Sequence, residues 1–182
     1  MLFPININTS IQNIQLQLGY CGDLTITIHS AHNLKPVDRG GTSDPFIRIL
    51  RNSKLIHKTK HVLKTLSPIW DKESISFKIL PVDTSQTTKC IFQVMDWNAI
   101  LDNISLGECE LDVIEELRKL GVPSSALSSN ENTSNSAMIM NPSMKPSKYS
   151  LDMKLPVRNG TGELHIQVEF VCQENRKSIG ND

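Results

Sequence analysis

A chain of 182 residues suits one domain of ordinary size, with a buried core and some chain left over. Its 19 Lys and Arg balance its 19 Asp and Glu, so no net field steers it toward nucleic acid or a membrane, and any electrostatic function has to be local. The four cysteines, Cys21, Cys90, Cys109 and Cys172, form no C-x-x-C pair, which argues against zinc-knuckle and thioredoxin-like chemistry and suits reduced cytosolic thiols, and no run of roughly 20 apolar residues predicts a membrane span.

In chain order, residues 1–21 read as a linker in which Ile14, Leu16 and Leu18 alternate and suggest an edge strand. No secretory signal is expected in MLFPININTS, so the sequons at Asn8, Asn103, Asn132 and Asn159 read as chance. Leu24, Ile26 and Ile28 alternate with Thr25, Thr27 and His29 and predict a half-buried strand. Asp38 and Asp44 then flank R-G-G-T-S. Two carboxylates six residues apart around a Gly-rich turn can converge on a hard cation that wants six to eight oxygens near about 2.4 Å. They are also ordinary turn formers beside Gly and before Pro.

Strands are predicted near 44–50 and 55–62. From Pro45 to Trp70 the chain carries Arg48, Arg51, Lys54, Lys58, Lys60 and Lys64 with no Asp or Glu. On a strand Lys58 and Lys60 project from one face, where they can share a phosphorylated head group or, alternatively, guard a sheet edge against aggregation. Further strands are expected at 73–80 and 89–96. An acidic turn follows, Asp96-Trp97-Asn98-Ala99-Ile100-Leu101-Asp102-Asn103, whose oxygens would join those of Asp38 and Asp44 if both turns lie at one end of the fold. After a strand at 106–111, Asp112 can cap a short helix to Leu120, with Glu115 closing a capping box and Gly121 ending it. Residues 122–147, rich in Ser and Asn, read as a disordered insertion. Strands near 148–155 and over Leu164, Ile166, Val168 and Phe170 complete the pattern, and residues 172–182 form a polar tail. Eight short strands with little helix predict an all-β, eight-stranded antiparallel sandwich.

Enzymatic signatures are missing: the sequence has no G-x-S-x-G, H-E-x-x-H, G-x-x-x-x-G-K-S/T or G-x-G-x-x-G. The acidic turn does not have EF-hand spacing. His29 and His165 fall on outward strand positions, and His57 and His61 lie inside the basic stretch, so none is expected to bind metal.

The segments GDLTITIHSAHNLKPVDRGGTSDPFIRI, HKTKHVLKTLSPIWDKE, FQVMDWNAILDNISLGECELDV and GELHIQVEF resemble, in order, the consecutive motifs of a C2 domain from about Gly22 to Phe170. Within that family they look most similar to C2 domains of tricalbins and extended synaptotagmins, which tether the endoplasmic reticulum to the plasma membrane. The resemblance implies a non-catalytic, cytoplasmic, peripheral module within a longer tether, docking on anionic phospholipid or phosphoinositide and making contact with other domains of the same protein. Asp38, Asp44 and Asp96 fall on the family's Ca²⁺-ligand positions. The next ligand position holds Asn98 and the last holds Ile104, so two of the family's carboxylates are missing. Asp102 is a candidate substitute, and Ca²⁺ is expected to bind weakly. Lys58, Lys60 and Asn103 fall on or near head-group positions, and Ile100, Leu101 and Ile104 are expected to enter the lipid interface. The alternative is a Ca²⁺-independent protein-interaction module that turns the same basic face to an acidic partner.

Overall fold

The computed structural model describes residues 21–80, 85–122 and 148–172. The expected alternation builds eight strands: β1 (Gly22–His32), β2 (Pro45–Arg51), β3 (Lys54–Lys58), β4 (Ile69–Ile79), β5 (Cys90–Asp96), β6 (Ile104–Leu111), β7 (Lys148–Pro156) and β8 (Glu163–Cys172). They form two four-stranded antiparallel sheets ordered β4-β1-β8-β7 and β3-β2-β5-β6. Leu24, Ile26, Ile28, Leu164, Ile166 and Phe170 of the first sheet face Ile47, Ile49, Phe92 and Val94 of the second, and all are buried in one core. Each such side chain contributes roughly 1.5–3 kcal/mol relative to exposure. This core is the reason period-2 patterning dominates the sequence.

Among the described residues two short helices accompany the strands: a single turn, α1 (Ser85–Thr88), and the expected helix, α2 (Val113–Lys119). Asp112 caps α2, its Oδ1 accepting from the Glu115 N–H at 3.1 Å. Glu115 does not close a capping box, because Arg118, one turn on, takes its carboxylate. Gly121 (φ 68°) ends the helix as expected, and Val122, assigned to the insertion from sequence, is buried and donates its N–H to the Leu117 carbonyl at 3.1 Å. The proposed edge strand around Ile14 to Leu18 and the insertion from residue 123 to 147 lie outside the described residues. Cys172, expected to start the tail, is the last residue of β8.

A second departure concerns the basic strand. β3 ends at Lys58 instead of continuing to residue 62. At the next residue a side chain takes over the ladder: Thr59 donates its N–H to the Ile47 carbonyl at 3.0 Å while its Oγ1 accepts from the Ile47 N–H at 2.9 Å. Lys60 therefore stands past the end of the strand. The exposed–buried–exposed order of Lys58, Thr59 and Lys60 nonetheless persists.

The cross-strand pairs Ser30↔Ile69, Pro45↔Asp96 and Asp96↔Ile104 bring the β1–β2, β3–β4 and β5–β6 loops to one end of the sandwich. The turn between β7 and β8 reaches the same end and is pinned by glycine. A Cβ on Gly160 would lie 1.8 Å from the Leu106 carbonyl oxygen, and that close approach lets Glu108 and Arg158 exchange backbone bonds of 2.9 and 2.8 Å.

Candidate functional site

The loop end gathers the acidic residues. Asp38 opens a turn in which its carbonyl accepts from the Gly41 N–H at 3.0 Å, with Gly41 at φ 74°. Asp44 and Asp96 come from the adjacent ends of β2 and β5. Asp96 has no solvent exposure, and its Oδ1 accepts from the Asp44 N–H at 2.6 Å. Burial is the main cause that raises the Asp96 pKa, and the neighbouring Asp38 and Asp44 charges add to it against the bonds from the Asp44 N–H and the Asn98 amide. The three carboxylates predicted to converge thus do lie within electrostatic reach of one another.

The remaining predicted ligands behave differently. Asn98 turns its Nδ2 to Asp96 Oδ2 at 3.1 Å and to the Asp102 carbonyl at 3.4 Å. Asp102 is exposed, and in this contact it supplies its backbone oxygen. Asn103 accepts the Asn98 N–H on its Oδ1 at 3.1 Å, which makes it a support for the loop. Ile104 pairs directly with Asp96 across the β5–β6 ladder, so an apolar side chain stands where a carboxylate would face Asp96. Among the described residues no three His, Cys, Asp or Glu side chains are grouped closely enough to hold a metal ion. The donor set is therefore a poor fit to Ca²⁺, with an amide and a methyl-rich side chain where a hard cation needs charged oxygen.

The Asp96 shift has a pH consequence. Its folded-state pKa lies above the unfolded value of 3.8, so at neutral pH the folded state holds buried, and repelled by its neighbours, a charge that the unfolded state holds in water. That cost falls away as pH drops through the raised pKa and is gone below 3.8. Asp96→Asn keeps an acceptor for the Asp44 N–H, and the Asn98 amide can turn over to accept from the new amide in exchange for its longer 3.4 Å contact with the Asp102 carbonyl. The variant is expected to melt above wild type at pH 7, with the gap closing on acidification. A set of thermal melts between neutral and acidic pH measures this, and a variant less stable than wild type at pH 7 would contradict it.

The basic face lies on the outside of the β3-β2-β5-β6 sheet. Arg48 pairs with Lys58 on one side and Gln93 on the other, which puts Arg48 and Lys58 side by side. Phe46, two residues from Arg48 and on the same face, is only 1% exposed, with the Lys58 Nζ 4.5 Å above its ring. Lys60 is exposed, with its backbone held by bonds from its N–H to Glu73 Oε1 (3.3 Å) and from Trp70 Nε1 to its carbonyl (2.9 Å). Arg48 is visible in the sequence as one of six cations. Its partnership with Lys58 depends on the register between β2 and β3, which the spacing along one strand does not give. The tips carry exposed apolar groups: Ile100 at 94%, Leu101 at 75%, Leu63 at 62% and Ile104 at 45%. Leu63 does not stand out in the sequence because it sits among the lysines.

The histidines follow the expected pattern of surface positions. His29 and His165 pack ring to ring at 5.0 Å on the other sheet, and His57 lies 3.3 Å from Glu73. His61 stacks on Trp97 at 4.2 Å with ring planes 2° apart, joining the β3–β4 and β5–β6 loops. Burial pushes the Cys90 thiol up to about 11 and the Cys109 thiol up to about 12, so both are inert core groups.

Comparison with known proteins agrees with this architecture. Tricalbin-3 of Saccharomyces cerevisiae is 39% identical over 92 residues, covering 50% of this chain and 6% of that protein. Synaptotagmin-1 of Caenorhabditis elegans is 36% identical over 109 residues, covering 56% of this chain and 24% of that protein. The chain thus matches a small part of each relative. A solved C2 domain of plant Extended Synaptotagmin 1 superposes with a TM-score of 0.55 at 20% identity, over 85% of this chain and 98% of that one, a likeness of fold. The family model for the C2 domain matches residues 22–133, more than half the sequence and the stretch that holds all three loops, and the chain belongs to the C2 domain family.

Proposed function

We propose that this C2 domain is a non-catalytic module that docks on anionic phospholipid membranes. The observation that carries the reading is the loop end itself, where exposed Ile100, Leu101 and Leu63 project from loops adjoining a face that bears Arg48, Lys58 and Lys60. Apolar tips enter the interface while cations meet head-group phosphates, each Lys or Arg near such a surface contributing about 1 kcal/mol at low salt. Lys58, Lys60 and Arg48 are the residues proposed to hold a phosphoinositide head group, and Ca²⁺ is at most a weak adjunct. On the likeness to Tricalbin-3, the reading extends to a peripheral position on the cytoplasmic side of a contact between endoplasmic reticulum and plasma membrane, beside other domains of the same tether.

Vesicle sedimentation tests the reading. The 182-residue chain is expected to bind vesicles containing phosphatidylserine or phosphatidylinositol bisphosphate, to leave neutral vesicles without bound protein, and to bind less as salt rises. Replacing Lys58 and Lys60 together by Ala is expected to cost roughly 2 kcal/mol of phosphoinositide binding at low salt. The melting temperature should fall by only a few degrees, since Lys58 gives up one cation–π contact with Phe46 of about 0.5–1 kcal/mol. Equal sedimentation with neutral and anionic vesicles would remove the electrostatic part of the proposal. Failure to bind any vesicle would leave the protein-interaction alternative.

A further inference from the structure

The loop end is closed by bonds the chain makes to itself. Both carboxylate oxygens of Asp96 carry a donor, the Asp44 N–H on Oδ1 at 2.6 Å and the Asn98 amide on Oδ2 at 3.1 Å. Asp44 in turn accepts the Lys64 N–H on its Oδ1 at 2.6 Å and the Trp97 N–H on its carbonyl at 3.0 Å. Asp44 belongs to the β1–β2 loop, Lys64 to the β3–β4 loop and Trp97 and Asn98 to the β5–β6 loop, so two acidic residues tie all three together. The His61–Trp97 stack adds a second tie between the last two. Lys64 holds a left-handed backbone (φ 53°) that costs an L-residue about 1–2 kcal/mol, and its N–H bond to Asp44 is one interaction that offsets this.

Asn98 is central to this arrangement. A carboxylate there could not donate, and it would add a third acidic neighbour to Asp96 beside Asp38 and Asp44. The amide is neutral, and it presents its nitrogen because its oxygen would meet another oxygen. Ile104, across the ladder, adds no charge.

We propose that this clasp replaces a cation as the element that assembles the three loops, and that Asn98 is the residue that makes the domain independent of Ca²⁺. The claim about docking rests on the membrane reading given above; the claim about assembly does not. On this proposal the clasp alone holds the loops in their docking arrangement, and membrane binding does not depend on Ca²⁺.

Two measurements on the whole chain, for wild type and Asn98→Asp, test this. Hydrogen exchange at the amides of Asp44, Lys64 and Trp97 reads assembly directly. In wild type these amides should exchange slowly and at the same rate in chelator and in excess Ca²⁺. In Asn98→Asp they should exchange about tenfold or more faster in chelator and slow again with Ca²⁺. Wild-type amides that are unprotected in chelator and become protected by Ca²⁺ would overturn the proposal. So would an Asn98→Asp variant whose exchange matches wild type in chelator. Sedimentation with phosphatidylserine vesicles reads docking. Wild type should bind equally in chelator and Ca²⁺, and the variant should lose binding in chelator. Wild-type docking that appears only with Ca²⁺ would sink the clasp and leave membrane docking intact. Wild type that never sediments would sink the docking reading, and the exchange result would still decide the clasp. If Asn98→Asp fails to fold, wild-type exchange in chelator against Ca²⁺ still supports or overturns the clasp.

Discussion

Asn98→Asp combined with Ile104→Asp is expected to tighten Ca²⁺ binding by about a hundredfold over wild type. Two unit charges about 4 Å apart attract by roughly 4 kcal/mol at an effective dielectric near 20, so about 1.4 kcal/mol, or tenfold, per restored carboxylate is a conservative figure. Both positions face the right way. Asn98 already touches the Asp96 carboxylate, and Ile104 pairs with Asp96 across the β5–β6 ladder. The new charges repel Asp38, Asp44 and Asp96, so the ion-free variant should melt below wild type. It should then gain about 2.7 kcal/mol when free Ca²⁺ exceeds its dissociation constant a hundredfold. Titration calorimetry reads the affinity and thermal melts read the linkage. Sub-micromolar Ca²⁺ affinity in wild type would mean that the amide and the isoleucine are no obstacle and that the loops open to admit an ion.

Phe92→Ala is expected to cost roughly 3–5 kcal/mol, the range for a large aromatic removed from a closed core. Phe92 has no exposure and lies mid-strand on β5, paired with Ile49 on β2 and Cys109 on β6, with its ring directed between the two sheets. Neighbours held by two ladders cannot move far into the space. Each kcal/mol lowers the melting point by roughly 2–4 °C in a domain of about 150 residues or more, so a fall on the order of 10 °C is anticipated. Urea denaturation with an unchanged slope would attribute the loss to stability alone. A loss under about 1 kcal/mol would mean that Phe92 is not where the two sheets interlock.

Alternation makes the fold legible, since every strand that buries one face writes apolar residues at every second position. Its limits are equally physical. Pattern carries β3 on to residue 62, past its true end at Lys58, because Thr59, a good strand former, uses its hydroxyl to occupy the ladder position itself. Spacing makes Glu115 half of a capping box because it does not reveal that Arg118 competes for the carboxylate. In the site, Asp38, Asp44 and Asp96 are visible in the sequence as acidic turn residues, and the departures at Asn98 and Ile104 are read through the C2 resemblance. The bonds that make Asp44 a hub are not, because its partners include the backbone N–H groups of Lys64 and Trp97, which every non-proline residue possesses and no motif encodes. The Arg48–Lys58 pair is hidden for a related reason, as it depends on register between strands and not on spacing along one.

The pairing of β1 with β8 has a mechanical consequence. The chain enters β1 at Gly22 and leaves β8 at Cys172, and these two residues are cross-strand partners at the end of the sandwich far from the loops. A load that draws the flanking segments apart acts across the β1–β8 ladder and opens it one hydrogen-bonded pair at a time, a peeling geometry with little resistance. A load between a membrane-held loop end and either flank instead runs lengthwise along β1 or β8 and strains many ladder bonds at once. The domain is therefore expected to resist a lengthwise load better than one across the β1–β8 ladder. Force spectroscopy should find a lower rupture force when the chain is pulled through residues 22 and 172 than when it is pulled between residue 172 and the loop tip at Leu101, and equal forces would refute the assignment.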